Sequence, residues 1–134
     1  MTQHGVSPLV TIRVADENDV EAIQRCRFDV YAEEGYIDPN NFPDGREFDE
    51  YDSSSISVVA TAGIRTRAVG TTRIILGKYS VLPIQDSPHF LTISEPEKAG
   101  EISRLCVREG FRDGRISIAM YRALFDVIAK NNIE

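Results

Sequence analysis

Carboxylates and arginines are the residues of this sequence whose types and spacing suit chemistry. Four carboxylates fall within six residues at Glu47-Phe48-Asp49-Glu50-Tyr51-Asp52. Such a cluster can bind a metal, hold a cationic substrate group or face solvent. It has no histidine nearby and no EF-hand spacing, so no metal site is assigned. Gly70-Thr71-Thr72-Arg73 sets an arginine beside a glycine that admits close backbone approach or a bulge. That arginine can clamp a carboxylate bidentately or lie exposed on a strand. In Glu101-Ile102-Ser103-Arg104-Leu105-Cys106-Val107, strand alternation puts Ile102, Arg104 and Cys106 on one face. Apolar neighbours imply burial, and a buried arginine needs a carboxylate partner, so an internal salt bridge to the acidic segment is the plain alternative to a site. Arg108 to Arg115 contains three arginines and two glycines before a helical pattern, which suits an anionic phosphate at a helix N-terminus.

These groups need elements to position them. Val10 to Val14 alternates at period two and reads as a half-buried strand. Asp16 caps a helix from about Glu17 to Glu33, with Val20, Ile23, Cys26/Arg27 and Val30/Tyr31 on one stripe and Gly35 as its stop. Tyr36 to Ser55 is a long irregular connection, a kind of loop that is often functional. Ile56–Thr61 and Ala68–Leu76 form a hairpin around Gly63, Arg65 and Arg67. Gly77 to Lys98 is a second connection, in which Pro83, Pro88 and Pro96 block a regular helix. Glu101 to Val107 is a strand, and Ile116, Ala119/Met120, Ala123/Leu124 and Val127/Ile128 give a helix to about Lys130. The order is an α/β (α+β) layer pattern.

The 134 residues form one domain, 1–134, with 42% apolar residues, enough for a core. Fifteen Lys and Arg against 21 Asp and Glu give a net charge of −6, which argues against a nucleic-acid binder. No apolar run approaches the ~20 residues of a membrane helix, and no secretory signal opens the chain, so the expected location is the cytoplasm. Cys26 and Cys106 stand far apart on apolar positions and read as buried, inert thiols. His4 and His89 have no visible triad partner.

Taken in order, Arg27 to Tyr36, Phe42 to Asp52, Gly70 to Arg73, Leu82-Pro83-Ile84 and Glu101 to Leu105 form a set that resembles the N-acyl amino acid synthases and their relatives, the acyl-homoserine-lactone (autoinducer) synthases. The resemblance runs from Ile12 to Leu124. It implies a GNAT-like acyltransferase fold: a mixed, mostly antiparallel sheet flanked by helices. Val30-Tyr31-Ala32-Glu33-Glu34-Gly35-Tyr36 and Pro43-Asp44-Gly45 look like the amino acid synthase branch. Lactone synthases usually place a tryptophan near position 36, and this chain has none.

The implied activity is transfer of a long-chain acyl group from an acyl carrier protein phosphopantetheine thioester, or from acyl-CoA, to the amine of an amino acid. A lactone synthase using S-adenosylmethionine and a non-catalytic acyl-carrier-binding fragment are the alternatives. The resemblance makes Glu101 the general base, directly or through water, with Arg104 beside it. A backbone N–H near Leu105 to Val107 would serve a developing oxyanion. Arg27, Arg73 and Arg104 would face Glu47, Asp49 and Asp52, and would either hold the acceptor or brace the acidic loop. Tyr31, Tyr36 and Phe90 would line the substrate side. Leu105, Val107, Arg108, Arg112 and Arg115 would meet the donor phosphate or an acidic carrier surface. Phe111 and Ile116 stand where the Arg/Gln-x-x-Gly-x-Gly/Ala signature of acetyl-CoA enzymes has its first and last residues, which favours the carrier protein. No bound cofactor is implied.

The fold implied by the resemblance continues with another parallel strand after the last helix. Its absence predicts a fragment lacking C-terminal strands, or a homo-oligomer in which a neighbouring chain completes the sheet.

Overall fold

A computed structural model describes residues 9–63, 67–89 and 92–133. Four strands, β1 (Val10–Val14), β2 (Ser55–Ala62), β3 (Ala68–Leu76) and β4 (Gly100–Val107), form one sheet in the order β1-β2-β3-β4. All three pairings are antiparallel. Two helices, α1 (Val20–Glu33) and α2 (Arg115–Lys130), cover opposite faces. The layer order matches the sequence reading, and β4 ends the sheet on its side with no further strand among the described residues. Arg65, Phe90 and His4 lie outside the described residues.

Alternation sorts β2 between the two faces. Val58 and Ala60 turn toward α2, where Ile116, Met120, Leu124 and Val127 complete an apolar layer with Val69, Ile74 and Leu76. Burying each such side chain contributes roughly 1.5–3 kcal/mol. Val59 turns the other way and meets Ile23, Cys26 and Val30 of α1, with Ala68 and Cys106. Gly70 faces α2 so closely that a Cβ there would lie 3.2 Å from the Met120 methyl carbon and 3.3 Å from the Cys106 carbonyl. The β2–β3 register also slips beside it, between Ala60 and Thr61. Close approach and bulge therefore occur together at this glycine.

The entry to α1 differs from a plain helix start. Glu17–Asp19 is a 3-10 turn, and α-helix begins at Val20. Asp16 Oδ1 accepts from the Asn18 N–H at 2.8 Å while Asp19 Oδ2 accepts from the Asp16 N–H at 2.8 Å. Arg13 of β1 donates to the buried Asp19, so the turn is tied to the sheet before the helix propagates. Asp19 thus closes the capping box of this turn and ties it to β1.

One expectation for β4 is corrected. Strict alternation would group Ile102, Arg104 and Cys106, but the β3–β4 register shifts between Thr71 and Arg73. Arg104 takes a positive φ of 57°, and Ile102 is 39% exposed. The inserted residue is a β-bulge. It lets Ser103 face Arg73 and Arg104 reach the acidic segment while Cys106 still packs against α1.

Candidate active site

The site is built where α1, the 36–54 connection, β3 and β4 meet. Arg27 follows Cys26 on the inward stripe of α1 and is 2% exposed, as is Arg73 at the middle of β3. Isolated charges buried this deeply would be costly, so the fold must supply partners. The acidic connection supplies them. Arg27 Nε donates to Glu47 at 2.6 Å, and its two terminal nitrogens donate to both oxygens of Asp52 at 2.8 and 2.9 Å. Arg73 forks onto Asp49 at 2.6 and 2.8 Å and adds Asp52 at 2.9 Å. Arg104 Nη2 spans Asp49 at 3.0 Å and Glu47 at 3.3 Å. Three guanidiniums and three carboxylates therefore form one closed, charge-balanced array.

Local chain geometry sets this register. The Glu47 N–H donates to the Gln24 carbonyl of α1 at 3.0 Å, and Arg46 Nε bonds the Gln24 side chain at 2.9 Å. Asp49 Oδ1 accepts from the Tyr51 N–H, and Asp52 Oδ2 accepts from the Asp49 N–H, so each carboxylate also folds its own turn. Burial alone would raise the pKa of Asp49 and Asp52. The guanidinium of Arg73 at Asp49, and that of Arg27 at Asp52, carry both net below the usual carboxylate range.

Arg27 and Arg73 are thus engaged with the acidic loop and brace it. Arg104 differs. Its side chain is one-third exposed, and its Nε is buried with no hydrogen-bond partner among the described residues. It borders a cavity of about 300 Å³ lined with Tyr31, Tyr36, Ile37 and Glu47. The wall is shaped by the end of α1. Gly35 turns with φ 74°, its N–H donates to the Ala32 carbonyl, and the Tyr36 N–H returns to the Tyr31 carbonyl at 2.9 Å. This left-handed C-terminal closure brings the Tyr36 ring to 6.0 Å from Tyr31. The Arg104 guanidinium lies 5.9 Å from the Tyr31 ring centre. Burial pushes the Tyr31 phenol well above its ordinary range, which keeps it protonated.

Glu101 lies three residues before Arg104 on β4. Its Oε1 accepts the Ile84 N–H at 2.8 Å, which fixes the carboxylate against the 77–99 connection. Oε2 has no hydrogen bond among the described residues. Ser103, absent from the residues singled out for the site, accepts from Arg73 Nε at 2.9 Å and anchors the array to β4. Its position between Glu101 and Arg104 was the available signal.

The donor-side residues divide. Leu105 is partly exposed and Val107 is buried. Arg108 donates to the Ala68 carbonyl and to Asp29, and Arg112 to the Val107 carbonyl and Glu34. Both fasten the turn to neighbouring elements. Arg115 is 85% exposed and pairs with Asp113.

The sequence model of a family described as N-acyl amino acid synthase FeeM matches residues 22–133. No curated protein matches significantly. Among solved structures, the acyl-homoserine-lactone synthase LasI superposes with a TM-score of 0.69 at 17% identity, over 95% of this chain and 70% of that one. The CoA-dependent acyl-homoserine lactone synthase BjaI, solved with SAM and isopentyl-CoA, gives 0.71 at 24% identity, over 93% of this chain and 64% of that one. A GNAT-family acetyltransferase from Staphylococcus aureus Mu50 gives 0.62 at 15% identity, over 94% and 70%. These likenesses concern the fold, and the chain spans about two-thirds of those proteins' lengths. No described helix is long and apolar enough to cross a membrane.

Proposed function

We propose that this chain, which belongs to the N-acyl amino acid synthase FeeM family and is by that membership an acyltransferase, moves an acyl group from a carrier-bound thioester to the amine of an amino acid. The observation that carries the reading is the Arg104 guanidinium, one-third exposed at the Tyr31–Tyr36 cavity. Its Nη2 is held by Glu47 and Asp49, while its Nη1 makes no hydrogen bond among the described residues, and such a planar fork suits the acceptor's carboxylate. Arg27 and Arg73 already have full partners and serve by holding Asp49 and Glu47 in place behind it.

Glu101 accepts the proton as the neutral amine attacks the thioester carbonyl, directly or through one water. The Ile84 N–H holds one of its oxygens and leaves the other for that proton. The tetrahedral oxyanion is met by a backbone N–H of the Leu105–Val107 segment, and the pantetheine thiolate leaves with a proton. A further strand or a second copy against the β4 edge would form the other wall of the donor cleft. The internal pairing of Arg108 and Arg112 supports a carrier protein over a CoA nucleotide, with Arg115 as the outward cation toward the carrier. A carrier partner implies reaction in the cytoplasm. The likeness to LasI and BjaI supports a second reading, lactone synthesis from S-adenosylmethionine.

Incubation with acyl-carrier and acyl-CoA thioesters, the amino acids and S-adenosylmethionine, read by mass spectrometry, tests both. The expected product is an N-acyl amino acid from the carrier thioester, with the rate reduced roughly 10²–10⁴-fold in Glu101→Gln. An acyl lactone would select the second reading. No acyl product from any acceptor would sink both.

A further inference from the structure

The two cysteines, 80 residues apart in sequence, face each other across the seam between α1 and β4. Their Sγ atoms are 3.9 Å apart, and both side chains are buried. A disulfide requires about 2.05 Å, so the two sulfurs must close by roughly 1.9 Å. Their neighbours matter as much as their distance. Cys26 directly precedes Arg27, and Cys106 lies two residues after the bulged Arg104. The guanidiniums of Arg27 and Arg108 act electrostatically on both thiols.

We propose that Cys26 and Cys106 are a redox-responsive pair that closes to an intramolecular disulfide on exposure to a peroxide and thereby tightens the cavity between Tyr31 and Arg104. The Cys26 sulfur, as thiolate, attacks a peroxide oxygen. The O–O bond breaks, giving a sulfenic acid and, with hydrogen peroxide, one water. The Cys106 sulfur then attacks the Cys26 sulfur, the S–S bond forms, the S–O bond breaks and a second water leaves. The two sulfurs together lose two electrons, the peroxide gains them, and both thiol protons end in water. The shared hydrogen bond fits this order of attack. Either sulfur can donate in that bond; with Cys106 as the donor it favours the Cys26 thiolate, and the same bond and burial raise the Cys106 thiol. Burial makes the reaction wait on opening of the seam.

The consequence follows from position. The tie would join the helix that carries Arg27 and Tyr31 to the strand that carries Arg104, two of the elements that line the cavity, the third being the 36–54 connection with Tyr36, Ile37 and Glu47. The covalent step is independent of the proposed acyl transfer; only its use as a regulator rests on that reading.

The test treats the reduced full chain with graded hydrogen peroxide and reads intact mass, thiol count and a non-reducing peptide map. Expected are a loss of about 2 Da, simultaneous loss of both thiols, one cross-linked peptide pair and full reversal by dithiothreitol. Oxygen-addition products without a cross-link, intermolecular dimers alone, or two thiols persisting in the folded chain would overturn the pair. Cys26→Ala and Cys106→Ala should each abolish the cross-link. Hydrogen exchange of residues 31–37 should slow in the oxidised form. A cross-link that leaves this exchange unchanged would overturn the tightening of the cavity.

Discussion

The two faces of the sheet solve the problem of burial in opposite ways. Toward α2 the layer is carbon: Val58, Ala60, Val69, Ile74, Met120 and Leu124. Toward α1 a small apolar cluster gives way to Arg27, Arg73, Glu47, Asp49 and Asp52. Apolar burial is non-directional, and each side chain contributes largely on its own account. Buried charges are directional and mutually dependent, because each makes the others' desolvation tolerable. The difference teaches that stability is spread over the α2 face, whereas placement is concentrated on the α1 face.

The largest expected effect breaks that interdependence. Arg27→Met leaves Glu47 buried without its short partner and Asp52 with Arg73 as its one remaining guanidinium, and should cost about 3–5 kcal/mol by denaturant unfolding. Arg27→Met combined with Glu47→Leu removes both members of the most buried pair and should recover part of that loss. On the opposite face Met120→Ala should cost about 2–5 kcal/mol, and no second deletion should restore it. Additive losses for Arg27→Met and Glu47→Leu would erase the distinction between the faces.

Acid should separate the faces more gently. Asp49 and Asp52 have native pKa values below their unfolded value of about 3.9. Their contribution is therefore fully present above that value and lost as pH falls through the lower native pKa. Both carboxylates retain some exposure, so water moderates the loss. Hydrogen exchange should show protection of residues 46–54 failing below about pH 4 while α2 remains protected. Simultaneous loss of both would mean that the layers unfold as one unit.

The α2 face was legible because period and apolarity carry it: Ile116, Met120, Leu124 and Val127 announce their own stripe. The charged array was legible only as opposed sets, Arg27, Arg73 and Arg104 against Glu47, Asp49 and Asp52. Composition could not pair them, since pairing depends on turns such as the one Asp49 makes with the Tyr51 N–H. The β4 bulge was hidden for a similar reason. Alternation assumes one residue per pleat, and no glycine marks the site because Arg104 itself adopts the left-handed backbone. The Cys26–Cys106 contact is a tertiary event across 80 residues, which neither apolar position foretold.

The smallest expected effect sharpens the comparison within the charged face itself. Arg104 holds the same carboxylates as its buried companions, yet its side chain is more exposed and its Nε has no partner among the described residues. Arg104→Lys retains a cation for Asp49 but loses the planar fork. Arginine and lysine share the same penalty at φ 57°, about 1–2 kcal/mol, so stability should change by no more than ~0.5 kcal/mol. If Arg104 grips the acceptor's carboxylate, the acceptor KM should rise roughly tenfold with kcat nearly unchanged, the signature of lost uniform binding. A fall in kcat at constant KM would instead assign Arg104 to the transition state. A loss of stability comparable to that of Arg27→Met would return it to the bracing set. The three outcomes sort this one arginine among holding substrate, stabilising charge in flight and supporting the loop, using a substitution that leaves the rest of the array paired.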